Sequence, residues 1–171
     1  MYTSDLLRTT QTAEAITAAT GVPAVQQPQL RERHLGVIQG LTYREAEVQM
    51  PEAYRALMSH STSERIPGGG ESAEDLQDRV EAALNAIARA HPGQRVLVVS
   101  HGGFLYAAHR RATGHAPASK SINGALNVIR IDPSPEGSKA PSSWAVVCWG
   151  VVDHLQDVGY SQRSFGGGSK G

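Results

Sequence analysis

Cysteine is almost absent from the 171 residues: only Cys148 occurs, inside the apolar run Ala145-Val146-Val147-Cys148-Trp149. A lone thiol excludes an internal disulfide framework and a thiolate metal cluster. It reads as a small buried hydrophobe in a reducing compartment, and a cytoplasmic location is expected. Aromatics are also scarce, at 5%, so the core has to be built from Leu, Val, Ile and Ala. Excess charge is missing too. Lys+Arg and Asp+Glu both number 16, which excludes nucleic-acid binding through bulk charge but leaves room for one positive pocket. No apolar run approaches the roughly 20 residues that cross a bilayer, so no membrane partner is expected. The start, Met1-Tyr2-Thr3-Ser4-Asp5, has neither a signal-peptide nor a transit-peptide pattern and reads like a domain interior behind a start codon.

What remains is a chain with 40% hydrophobic and 19% charged residues, enough for one packed domain. That domain is expected over 1–160, followed by a flexible Gly/Ser-rich tail over 161–171. A helix is predicted from Asp5 to about Ala19, capped by Thr or Ser and stopped by Gly21 and Pro23. A second helical pattern runs from Thr42 to Leu57 and restarts at Pro51. Ser72 to Ala90 carries the clearest pattern. Ser72 and Asp75 resemble a capping box, and Leu76, Val80, Ala83, Leu84 and Ile87 form an apolar stripe. Arg95 to Ser100 reads as a strand covered on both faces, and Phe104 to Thr113 as the next helix. Ile122 to Ile131 and Trp144 to Val152 complete the strands, joined by a turn-rich stretch over 133–143. The order predicts an α/β fold with a helix-covered sheet, yet only three strands are evident.

Chemistry is suggested first where the strand Val96–Val99 runs into Ser100-His101-Gly102-Gly103. Ligands of α/β proteins bind at the carboxyl ends of strands, and a glycine turn opening a helix lets backbone N–H groups approach an anion. His101 can donate to a phosphoryl oxygen there, or serve as a plain turn residue. Arg8 sits early in a helix, where its charge opposes the macrodipole unless an anion is bound. It can equally be a solvated arginine paired with Asp5 or Glu14. Glu32 lies among Arg31, Arg33 and His34, so its protonation state is open. Beside an anion its pKa would rise into the range of a general acid.

Four segments together carry a resemblance. Tyr2-Thr3-Ser4-Asp5-Leu6-x-Arg8-Thr9-x-Gln11-Thr12-Ala13, Leu30-Arg31-Glu32-x-x-Leu35-Gly36-x-x-Gln39-Gly40, Pro67-Gly68-Gly69-Gly70-Glu71-Ser72 with Arg79, and Val98-Val99-Ser100-His101-Gly102-Gly103 occur in this order. They resemble signatures of the histidine phosphatase superfamily, in its phosphoglycerate mutase-like branch, nearest to plant members. The resemblance implies a mostly parallel, helix-covered sheet and a phosphorylated small-molecule substrate. A histidine would attack phosphorus and water would clear the phosphohistidine. By position, Arg8 and His101 match the second arginine and second histidine of the phosphate pocket, and Glu32 matches the proton donor. Gly102 would add its backbone N–H to the phosphate. The scheme needs no metal or cofactor, and a homodimer is compatible with it.

One departure matters. The family's nucleophile lies in Arg-His-Gly after its first strand, and no Arg-His-Gly occurs in this sequence. Arg33-His34-Leu35 falls within the acid-loop match and lacks the glycine. The expectation is therefore a chain cut short before the nucleophile, lacking the first strand of the sheet and inactive alone. The short stretch between Glu32 and His101 favours a phosphatase over a mutase as the full-length activity. A mutase-type isomerase and a non-catalytic phosphate-binding fragment stand as alternatives.

Overall fold

The computed structural model describes residues 1–118, 121–134, 141–157 and 159. The chain runs through β1 (Tyr2–Thr3), α1 (Leu7–Thr20), β2 (Val25–Gln26), α2 (Tyr43–Gln49), α3 (Pro51–Met58), α4 (Ala73–Ala90), β3 (Val98–Val99), α5 (Gly102–Thr113), β4 (Leu126–Asp132) and β5 (Ser143–Val151). Three 3-10 turns, Pro28–Leu30, Gly36–Ile38 and Asp153–Leu155, lie between them.

The expected lack of a first strand is wrong. Tyr2–Thr3 forms β1 at the centre of a parallel three-stranded sheet, in the order β2-β1-β3. Tyr2 stands opposite both Val25 and Val98, and Thr3 opposite Gln26 and Val99. Main-chain bonds fix this register on both edges: Tyr2 N donates to Leu97 O (2.9 Å) and Gln27 N to Thr3 O (2.8 Å). A two-residue strand has no hydrophobic period to read, and its pairing with residues nearly a hundred positions away is invisible locally. The sheet architecture is mixed rather than mostly parallel, because β4 and β5 form a separate antiparallel pair.

The helices follow their sequence signals more closely. In α4 the capping box is complete: Asp75 N donates to Ser72 Oγ and Ser72 N to Asp75 Oδ2, both over 2.9 Å. Each such cap stabilises a helix by about 1 kcal/mol. Leu76, Val80, Ala83 and Ile87 are buried as the stripe predicts, and they meet Phe104, Ala107 and Ala108 of α5 and Trp144 of β5. Among the described residues Phe104 is the largest side chain fully out of water, worth about 2–3 kcal/mol of transfer energy. Pro51 separates α2 from α3, as its ring requires at a first helical turn. These two helices close a smaller core of Ile38, Ala46, Ala53 and Ile66.

The run Val96–Val99 is less covered than its composition predicts. Only Val98–Val99 is strand, both residues are half-buried, and Leu97 is exposed. Cys148 is half-buried rather than buried, in β5. The tail 161–171 and most of the loop over 133–143 lie outside the described residues. Among those that are described, no helix is long and apolar enough to cross a membrane.

Candidate active site

Parallel pairing of β1 with β3 decides where the polar cluster forms. Thr3 and Val99 are register partners, so the next residues, Ser4 and then Ser100-His101, leave the sheet side by side at its carboxyl edge. His101 is the N-cap of α5, and its ring is buried, with 5% of the residue exposed. Its Nε2 lies 2.7 Å from Ser4 Oγ, and Arg8 donates from Nε to its Nδ1 over 3.1 Å.

That second bond assigns the tautomer. Arg8 has only protons to offer, so Nδ1 is the acceptor and Nε2 carries the hydrogen. A relay follows from this: Nε2–H donates to Ser4 Oγ, Ser4 Oγ–H to Thr9 Oγ1 (2.6 Å), and Thr9 Oγ1–H to Leu6 O (2.7 Å). The imidazole is neutral, its pKa pushed down to about 3 by burial and then by the Arg8 and Arg79 charges. The predicted hydroxyl cap of α1 is absent. Leu6 is the N-cap, without a side-chain cap bond, and the Ser4 hydroxyl before it is spent in the relay.

Arg8 therefore pairs with neither Asp5 nor Glu14 but with His101. Asp5 is taken by Arg31, whose Nε reaches Asp5 Oδ1 at 2.6 Å. The Arg8 residue is otherwise exposed at the start of α1.

Glu32 comes to the same place from a loop. Its Oε1 accepts from Arg33 N (2.9 Å) and its Oε2 from Gly103 N (3.2 Å), which sets the carboxyl group against the first turn of α5. Burial raises its pKa. The amides of Arg33 and Gly103 and the Arg8 charge act in the opposite direction without cancelling it. Glycine at 103 makes room for the acid: a Cβ there would stand 2.3 Å from Glu32 Oε1 and displace the carboxyl group. Gly102, the first residue of α5, presents one of the helix N–H groups that have no intrahelical acceptor.

A guanidinium clamp holds the Glu32 loop. Arg79 of α4 makes a two-pronged ion pair with Glu71 (2.7 and 2.8 Å) and donates to the carbonyls of Gln29, Arg31 and Glu32. Glu71 also accepts from His34 N (2.8 Å), and its carbonyl receives the Arg33 guanidinium. Ser100 Oγ donates to Leu30 O (2.8 Å) and ties the end of β3 to the same loop. The sequence reading placed Arg79 and Glu71 only within a motif and did not foresee this clamp. It also took the Thr and Ser before α1 for helix caps and Thr9 for an ordinary helix residue. The one signal that points to them is the placement of two hydroxyls around Arg8.

Beside Gly103 lies an open cleft of about 150 Å3, bordered by Arg33, Tyr43, Gln77, Tyr106 and Arg110 among others. His34 is exposed, with Nδ1 accepting from Gly36 N. No group of three or more His, Cys, Asp or Glu side chains among the described residues can hold a metal ion.

Residues 1–139 match the model of the histidine phosphatase superfamily (branch 1). The chain is 43% identical over 169 residues to phosphoglycerate mutase-like protein 4 of Arabidopsis thaliana, covering 98% of this chain and 70% of that protein. It is 41% identical over 171 residues to the metal-independent phosphoserine phosphatase of Arabidopsis thaliana, covering 99% of this chain and 68% of the relative. Its fold superposes on the solved structure of Bacillus stearothermophilus YhfR with a TM-score of 0.74 at 27% identity, over 91% of this chain and 75% of the other.

Proposed function

We propose that this chain, which belongs to the histidine phosphatase superfamily (branch 1), carries the phosphate-binding and proton-donating half of a phosphomonoester hydrolase site. At family level the activity is hydrolysis of phosphomonoesters of the histidine-phosphatase type. Arg8 and His101 are the phosphoryl ligands, joined by the Gly102 N–H at the start of α5. Glu32 is the general acid that protonates the leaving oxygen, a role for which its raised pKa is suited. The observation that carries this reading is the convergence of Arg8 and Glu32 on His101 and the first turn of α5.

The 171-residue chain has no Arg-His-Gly segment, and so it binds the phosphoryl group without turning it over. The test is p-nitrophenyl phosphate hydrolysis from pH 5 to 8 beside a His101→Ala control, together with calorimetric titration of inorganic phosphate. The expected result is no turnover above the control and phosphate binding that His101→Ala abolishes. Turnover that disappears in the control would overturn the inactive reading. Absence of phosphate binding would overturn the site. A mutase-type isomerase is the second reading, favoured by the segment Glu32 to Gly40. Its test is conversion of 3-phosphoglycerate to 2-phosphoglycerate in the same preparation.

A further inference from the structure

The cleft beside Gly103 is bordered by Arg33 and Gly103, the two residues whose main-chain amides hold the Glu32 carboxyl group. A leaving group whose oxygen is protonated by Glu32 has this cleft as its place. Gly103, Tyr106, Ala107 and Arg110 border it and fall at i, i+3, i+4 and i+7 of α5, one face of the helix. The cleft therefore runs along two helical turns, about 10 Å from Gly103 to Arg110. A three-carbon hydroxy acid covers less than half of that distance.

The lining is chemically lopsided. It holds two guanidinium groups, Arg33 and Arg110, and no acidic side chain. Arg33 is engaged with Glu71 O, while the Arg110 guanidinium makes no ion pair among the described residues. Gln77 Nε2 is buried, has no hydrogen-bond partner among the described residues and belongs to the lining. A buried amide donor left unpaired is costly, and an anionic oxygen from a ligand would pair it. The rest of the lining is largely apolar or aromatic, with Leu35, Leu57 and Leu76 beside Tyr43 and Tyr106.

We infer that this cleft takes the alcohol portion of a phosphate monoester built on a long hydroxy acid. An aryl or extended aliphatic body lies along α5, and a carboxylate is held by Arg110 and the Gln77 amide. This rests on the reading of Arg8, His101 and Glu32 as the phosphate end. It makes Arg110 and Gln77 specificity-determining residues that discriminate against three-carbon acids.

Binding to the 171-residue chain tests it with four probes: inorganic phosphate, phosphoserine, 3-(4-hydroxyphenyl)propanoate and the phosphate ester of that phenol. The unphosphorylated phenol is expected to shift the Gln77 side-chain amide and Tyr106 ring resonances. Its phosphate ester is expected to bind about tenfold more tightly than phosphoserine, a gain the size of one charged hydrogen bond. Arg110→Gln, on an exposed helix position, should erase that gain and leave phosphoserine affinity unchanged. If neither phosphate nor phosphoserine binds while the phenol still shifts Gln77, the phosphate site fails and the cleft stands. Gln77 resonances indifferent to both aryl compounds overturn the cleft. So do equal affinities for ester and phosphoserine, or an Arg110→Gln effect that is absent or shared by both.

Discussion

Arg8 donates its Nε–H to Nδ1 of His101 across 3.1 Å, so a cation faces a ring that has to stay uncharged. The arrangement is consistent in every proton. Protonated Nδ1 would have nothing to donate to, and Nε2–H already feeds the Ser4 to Thr9 relay. In the family reaction an anion would take over the arginine. Without one, arginine and histidine satisfy each other.

Because the Arg8 charge lowers the pKa of both His101 and Glu32, its removal should raise both. Arg8→Gln is expected to move the His101 midpoint upward from about 3 and the Glu32 midpoint further above the usual carboxylate range. Heteronuclear NMR of the ring and carboxyl carbons measures both at once. Movement of the two midpoints in opposite directions would show that Arg8 does not lie between them electrostatically.

The neutral His101 also fixes the sign of a stability profile. The unfolded chain takes up a proton on this ring near pH 6.5, whereas the folded chain resists until about 3. In that window the unfolded state holds more protons, so stability falls as the pH is lowered and is flat above 6.5. Urea unfolding of the native chain and of His101→Asn isolates the effect. The difference between them should shift against the native chain by about 2 kcal/mol from pH 7 to pH 5. A difference that holds constant would mean the ring is charged in the folded protein.

Arg79 satisfies three carbonyls and one half-buried carboxylate, and its loss leaves all of them without their cation. Arg79→Ala should cost about 3 kcal/mol, in the range for breaking a partly buried charged network. Arg79→Lys should recover only part of it, since an ammonium cannot reproduce the planar fork. Thermal unfolding of the three proteins gives the order. Equal stability of Lys and Arg variants would reduce the clamp to a simple charge pair.

Much of this site could be read from the sequence, and the remainder failed for identifiable reasons. His101 was legible because an apolar strand, a glycine pair and a helix start coincide there. Helix α4 was legible because its stripe and both members of its capping box are local. Strand β1 was not, since two residues carry no period and its partners are distant in sequence. Ser4 was misjudged because a hydroxyl before a helix reads as a cap. Only the register of Thr3 with Val99 reveals that His101 claims it instead. Arg79 lies 47 residues from Glu32, a separation at which sequence spacing carries no contact information.

Gly103 separates positioning of the acid from folding of the domain. An added methyl at this helical position would meet Glu32 Oε1 at 2.3 Å, while a helix of this length otherwise accepts alanine well. Gly103→Ala therefore forces the carboxyl group outward, away from the Gly103 amide and toward water. The helix gains about 1 kcal/mol of propensity and the displaced contact costs about 1–3 kcal/mol, so net stability should change little or fall slightly. The larger effect is on Glu32, whose raised pKa depends on burial and should return toward the ordinary carboxylate value. Carboxyl titration by NMR beside a urea melt separates the two consequences. A Glu32 midpoint that stays raised in the alanine variant would show that burial at the start of α5 is not what raises it.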